Sequence, residues 1–157
     1  MAAMKTEKLT FQDWVHVFGK PADDPAVQQA LASVGVIKPI KLGRKELSTR
    51  EDIEGQGTTI VFTSESILNP SDSTAVAGRP IVSCVMVMLE RYDGSLPYQI
   101  ARDDSQQTLR ARLGTPAQIN ERFRADGWEI DGMILGVGYS KDLQSLTQVS
   151  LSLPNSG

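Results

Sequence analysis

One cysteine, one histidine and nine aromatic residues are all that this 157-residue chain has of three chemically telling classes. A lone Cys84 excludes a disulfide within the chain, and its place inside the apolar run "IVSCVMVML" reads as a buried, inert thiol. His16 has no second histidine or cysteine cluster to complete a metal site. Between Val15 and Val17 it points away from its neighbours' apolar stripe and reads as a surface or structural histidine. The same run, residues 81–89, is the longest apolar stretch, far below the roughly 18 residues that a membrane-crossing helix needs. Residues 1–8 lack the apolar centre of an export signal and read as disordered. These shortages point to a soluble, cytoplasmic protein with no membrane partner, and no residue pattern calls for a cofactor or a metal.

What the chain does have is ordinary globular composition, 40% hydrophobic and 22% charged. Its length suits one domain, 1–157, burying roughly 70% of the unfolded surface. Charge is uneven: residues 1–50 carry 8 Lys+Arg against 5 Asp+Glu, and residues 51–157 carry 8 against 14. The basic part concentrates in "KPIKLGRK", with Lys38, Lys41, Arg44 and Lys45. Without interleaved aromatics that stretch reads as a solvated connector, so nucleic acid is not an expected partner. The acidic remainder suits a basic protein partner.

Local rules place two helices first. Thr10 with Asp13 resembles a capping box, Phe11, Trp14, Val15 and Phe18 recur at helical spacing, and Gly19 stops the run. Asp24-Pro25 opens the second helix as N-cap and first-turn proline; Val27, Leu31 and Val34 form its inward stripe, and Gly35 ends it. Each stripe needs a partner, so a helical hairpin on a sheet is expected. "TTIVF" and "PIVSCVMVMLERY" read as strands, the second covered on both faces near Cys84 to Leu89, and 64–79 between them reads as a mobile loop. Residues 128–153 read as a three-stranded antiparallel meander with turns at Asp131-Gly132 and Lys141-Asp142. Gly136 and Gly138 alternate with its apolar face, which predicts an outer surface of bare backbone.

The stretch "LPYQIARDDSQQTLRARLGTP", residues 96–116, carries a helix of its own. Asp104 or Ser105 caps it, Leu109 and Leu113 pair on one face, and Gly114 with Pro116 ends it. Thr115, Pro116 and Gln118 then repeat the start signals, so 115–127 is expected to form a further short helix. "VFGKPA" and "RLGTPA" echo one another, although Gly-x-Pro is generic stop chemistry. The fold class predicted is α+β: an N-terminal helical hairpin packed on a mainly antiparallel sheet, with a helix inserted before the C-terminal meander.

Leu-Pro-x-x-apolar, a polar turn, a helix ending Leu-Gly-x-Pro, and then "ILGVGYSKD" and "LTQVSLSLP" resemble a pattern in small bacterial immunity-type proteins encoded beside polymorphic toxins. "WVHVFGKPADDPAVQQALASVG" resembles their N-terminal part, and residues 38–80 match least. The helix-and-meander portion is similar to the SmpA/OmlA-type α/β module. Gln99 stands where the pattern has Gly, which puts the turn there in question. The resemblance implies a protein that neutralises a cognate toxin by binding it, with no catalytic residues.

Two other functions compete. Glu129 and Asp131, two apart on a predicted strand, would share a face roughly 6.5 to 7 Å apart, a spacing compatible with a carboxylate-based hydrolase. They also alternate with Trp128 and Ile130 as a solvated face would, and no nucleophile, P-loop or metal spacing accompanies them. A small-ligand-binding module using Tyr92 or Tyr98 is the other alternative. For occlusion of a basic toxin, the partner-binding candidates are acids around aromatic anchors: Glu90, Tyr92, Asp93, Tyr98, Asp103, Asp104, Glu129 and Asp131.

Overall fold

A computed structural model describes residues 8–155, so the disorder expected for the first residues falls almost wholly outside the described part. The chain is α+β, built on one seven-stranded sheet whose strand pairs are all antiparallel. The strands are β1 (Ser48–Ile53), β2 (Thr58–Ser64), β3 (Pro80–Met88), β4 (Gln118–Asn120), β5 (Ala125–Ile130), β6 (Met133–Tyr139) and β7 (Leu146–Ser152). Their order, β1-β2-β3-β7-β6-β5-β4, is two meanders joined edge to edge through β3 and β7. After β3 the chain crosses through α4 (Gln106–Leu113) to the far edge, then winds back until β7 pairs with β3.

Capping chemistry sets the helices. In α1 (Phe11–Val15) the Thr10 side chain accepts from the Asp13 amide while Asp13 accepts from the Thr10 amide, the reciprocal box expected. In α2 (Pro25–Ser33) Asp24 accepts from the Ala26 amide at 2.8 Å, and Val27, Leu31 and Val34 are buried. The chain between them follows a path that helix signals do not foretell. β7 pairs with β3 only from Cys84 onward, so the start of that β3 edge is free, and residues 19–22 fill it. The Gly19 amide donates to Val82, Val82 donates back to Lys20, and the Ala22 amide donates to Pro80. An otherwise unpaired edge is thus satisfied by a connector.

Two expectations are corrected, and one strand was not foreseen. Residues 115–127 are not helical: they form β4 and a turn into β5, so the meander has four strands. Helix-start signals lost there because the Asn120 side chain accepts from the Phe123 amide and closes a turn that feeds the strand pairing. The segment 64–79 is not a plain loop either. It contains α3 (Glu65–Leu68), and Glu65 holds its far end through the Val76 amide at 2.7 Å and Arg79 at 3.2 Å. The polar stretch "STREDI" forms β1, a strand with no apolar alternation to announce it.

The core lies on one face of the sheet. Trp14, Val27, Leu31 and Leu109 from the helices join Ile60, Phe62, Val85, Val149, Leu151, Leu135 and Trp128 from the strands in one buried cluster. No helix of the described residues is long and apolar enough to cross a membrane.

Candidate functional site

Strand register defines the sheet's other face. One line across all seven strands runs Gln118, Gly127, Gly136, Ser150, Met86, Thr59 and Asp52. The neighbouring line runs Glu129, Ile134, Ser152, Cys84, Val61 and Arg50. Side chains of one strand alternate between faces, so both lines point away from the helix-covered core. α1, α2 and α4 contribute their buried residues to the core cluster, and α3 has none buried. The second face therefore carries small and mid-sized side chains, Ile134 and Val61 among them, most of them half-buried and Cys84 buried, with Met88 44% exposed and the charges of these two lines at Glu129, Asp52 and Arg50 near the edges.

The bare backbone expected at Gly136 and Gly138 is not what forms. A Cβ on Gly136 would meet Ser150 Oγ at 2.6 Å, and one on Gly138 would meet Thr147 Oγ1 at 3.3 Å and Gln148 Cβ at 3.4 Å. The glycines make room for β7 side chains, which lie across them and level the surface.

At the rim of this face the β5–β6 hairpin turns through Asp131 (φ +53) and Gly132 (φ +76), the two left-handed residues of a tight turn. Strand alternation ends at Ile130, so Glu129 and Asp131 are not a same-face pair and the paired-carboxylate geometry loses its basis. Glu129 stays exposed on the open face. Asp131 instead lies by Tyr98, whose hydroxyl pKa is raised by desolvation first and by the Asp131 carboxylate second. Tyr98 and Gln99 both adopt left-handed backbone, φ +57 and +59, so Gln99 takes the conformation that glycine takes freely.

The remaining candidates scatter. Tyr92 is buried at 4% exposure, its ring set edge-on to Phe11 with centroids 5.9 Å apart and its hydroxyl donating to the Ser95 carbonyl at 2.6 Å. It is a core residue and not a surface anchor. Asp93 is exposed and paired with Lys8 at 3.1 Å, a hydrogen bond that lowers its pKa. Glu90 and Asp103 are exposed with no ion pair among the described residues. Asp104 works inside the fold, accepting from the Ala101 amide at 2.8 Å and from Arg112 at 3.3 Å. The eight residues thus do not form one site: Glu129 lies on the open face, Asp131 in the turn at its end, and Tyr98, beside Asp131, packs against the core cluster. Among the described residues no three His, Cys, Asp or Glu side chains are grouped to hold a metal.

Sequence inspection missed the best-formed polar cluster. Asp126 is 3% exposed, and its carboxylate accepts from Arg110 Nε at 2.9 Å, Arg110 Nη2 at 2.7 Å and the Tyr139 hydroxyl at 2.9 Å. The signal was available: Asp126 sits two residues before the inward Trp128 and so shares its face. The cluster clamps α4 to β5 and β6, and the Trp128 indole adds a bond to the Gly114 carbonyl at 3.0 Å. Comparison with family models, with curated proteins and with solved structures gives no match for this chain.

Proposed function

We propose that the protein binds another protein through the open face of its sheet, and that it serves as an immunity protein, occluding a cognate toxin in the cytoplasm. The observation that carries the reading is the sheet face turned away from α1, α2 and α4, uncharged along its two register lines between the edges, with Glu129 near one rim and Asp131 in the adjoining turn. A sheet face without charges along its middle suits close contact with a folded partner, and acids at its end suit a basic one. In this reading α1 and α2 form the hairpin that seals the core side, leaving the opposite side for the toxin. Specificity resides in the rim and loops, and the scaffold only presents them.

The test pairs the protein with the toxin encoded beside it. Co-expression is expected to protect cells from that toxin and from no unrelated one. Glu129→Lys combined with Asp131→Asn keeps the turn, because Asn tolerates left-handed backbone, and removes the acidic rim. Association of the double variant is expected to slow about tenfold at low salt, with the difference shrinking as salt rises. Unchanged association at both salt concentrations overturns the rim as contact surface. Absence of any complex with the neighbouring gene product overturns the immunity reading.

A further inference from the structure

A recess of about 350 Å³ lies between α4 and the β4–β5 turn, within the size range of small-ligand sites. Three cations line it: Arg110, Arg124 and Lys141, with Gln106 and Asn120 as neutral donors and Glu121 as the single carboxylate. We infer that this recess binds a small oxoanion, the phosphate or carboxylate head of a metabolite-sized molecule. The inference is independent of the open sheet face and of the immunity reading.

The cations differ in how they are held, and the difference points to a ligand. Arg110 is fixed: Asp126 takes its Nε and Nη2, which leaves Nη1 as the edge not committed to that carboxylate. Its charge is matched inside the fold, so it contributes a rigid donor more than net charge. Arg124 is the reverse. Its Nε is buried with no hydrogen-bond partner, and it forms no ion pair among the described residues. A buried guanidinium N–H without an acceptor is a rare arrangement that leaves the Arg124 charge uncompensated, and an anion in the recess that Arg124 lines would offset that charge.

Backbone geometry adds a second, separate observation. Arg124 has φ +51, a region that favours glycine or asparagine, yet an arginine stands there. The turn holds it through its amide, which donates to Glu121, and its carbonyl, which accepts from the Tyr139 amide. A strained position that carries a cation into a recess is the pattern expected where the side chain has work to do. Lys141, exposed and without an ion pair among the described residues, closes the other side. With Arg110 offset by Asp126, two cations face one carboxylate across the recess, and the first turn of α4 at Gln106 adds its positive end.

The experiment follows the arginine Nε signals of the isotope-labelled full chain by NMR during titration with inorganic phosphate, with acetate, and with chloride at matched ionic strength. Saturable shifts of the Arg124 and Arg110 signals by phosphate or acetate are expected, and the tighter of the two identifies the head group. Lys141→Gln is expected to weaken binding about threefold, and Glu121→Gln to tighten it by a similar factor. Arg124→Gly relaxes the backbone, so its amide spectrum remains that of the folded chain while the saturable shift at Arg110 is lost. Shifts that grow linearly, that chloride reproduces, or that persist at Arg110 in Arg124→Gly overturn the site.

Discussion

The Tyr139 hydroxyl donates to Asp126 Oδ2 at 2.9 Å, on the same carboxylate that Arg110 grips with two nitrogens. Three elements, α4, β5 and β6, therefore meet on one buried charge. Removing that charge by Asp126→Asn leaves the Arg110 fork one acceptor oxygen in place of two and sets an NH2 donor against the donors around it. The Arg110 side chain is 35% exposed and regains some hydration, so the loss is expected near about 2 kcal/mol, below the value for a fully buried pair. Tyr139→Phe removes one charge-assisted bond and should cost about 1 to 2 kcal/mol. Urea denaturation of both variants and their double mutant measures the coupling; additive losses would mean that the two bonds are independent.

Two glycines should respond differently to the same methyl group. At Gly57 (φ +66) an added Cβ would lie 2.8 Å from Arg91 Cβ, 2.9 Å from the Met88 carbonyl oxygen and 2.9 Å from the Tyr92 nitrogen. Backbone cannot swing aside, so Gly57→Ala is expected to cost about 2 to 4 kcal/mol. At Gly136 the obstacle is Ser150 Oγ, the end of a side chain that can rotate. Gly136→Ala should cost about 1 kcal/mol, and Ser150→Ala in the same chain should recover most of it. Thermal melting of the three variants checks the order.

Much of the fold was legible where one local rule acted alone. Thr10, Asp24 and Ser105 cap their helices because a short polar side chain before an apolar stripe satisfies a free amide wherever it stands. Rules failed where two competed or none spoke. Thr115 to Gln118 carries valid helix-start signals, yet a partner strand was available to Gln118–Asn120 and the chain took it. β1 is a polar edge strand without alternation, so its pairing with β2 is known only from the long-range register. Of the candidate site, the exposed Glu129 was placed correctly. Asp131 was misplaced because a left-handed turn interrupts alternation, and Asp126 was missed because its partners stand 16 and 13 residues away in sequence.

Strand β4 ends the sheet with all three residues exposed, and Ile119 and Phe123 are 50% and 66% exposed beside it. Arg122 covers part of Phe123, its guanidinium 5.5 Å from the ring centroid. Neither apolar side chain supports the core, so Ile119→Lys and Phe123→Ser should each alter stability by no more than about 0.5 kcal/mol. Both should reduce self-association, because charged or polar residues blunt an open edge. Leu109→Ala, at a site with 0% exposure, should cost about 2 to 5 kcal/mol by comparison. Light scattering at rising concentration, beside denaturation curves, separates the two effects; equal losses for Ile119→Lys and Leu109→Ala would contradict this placement.

Cys84 gives a chemical readout of the packing on β3. Its thiol is 8% exposed, and burial pushes its pKa up to about 11. A raised pKa in the folded state means that the folded chain retains a proton that the unfolded chain releases first. Stability is therefore unaffected by this group well below pH 9.0, the free-thiol value, and falls as pH rises through it toward 11. The loss from this residue should not exceed about 3 kcal/mol, and Cys84→Ala should flatten the stability profile between pH 8 and 10. Above pH 10 the raised pKa of Tyr139 acts in the same direction, so the lower window isolates the cysteine. Reaction with a thiol reagent at pH 8 should be about a hundredfold slower in the native protein than in urea, since two pKa units separate the thiolate populations. Equal rates in the two states would contradict the burial of Cys84 on the open sheet face.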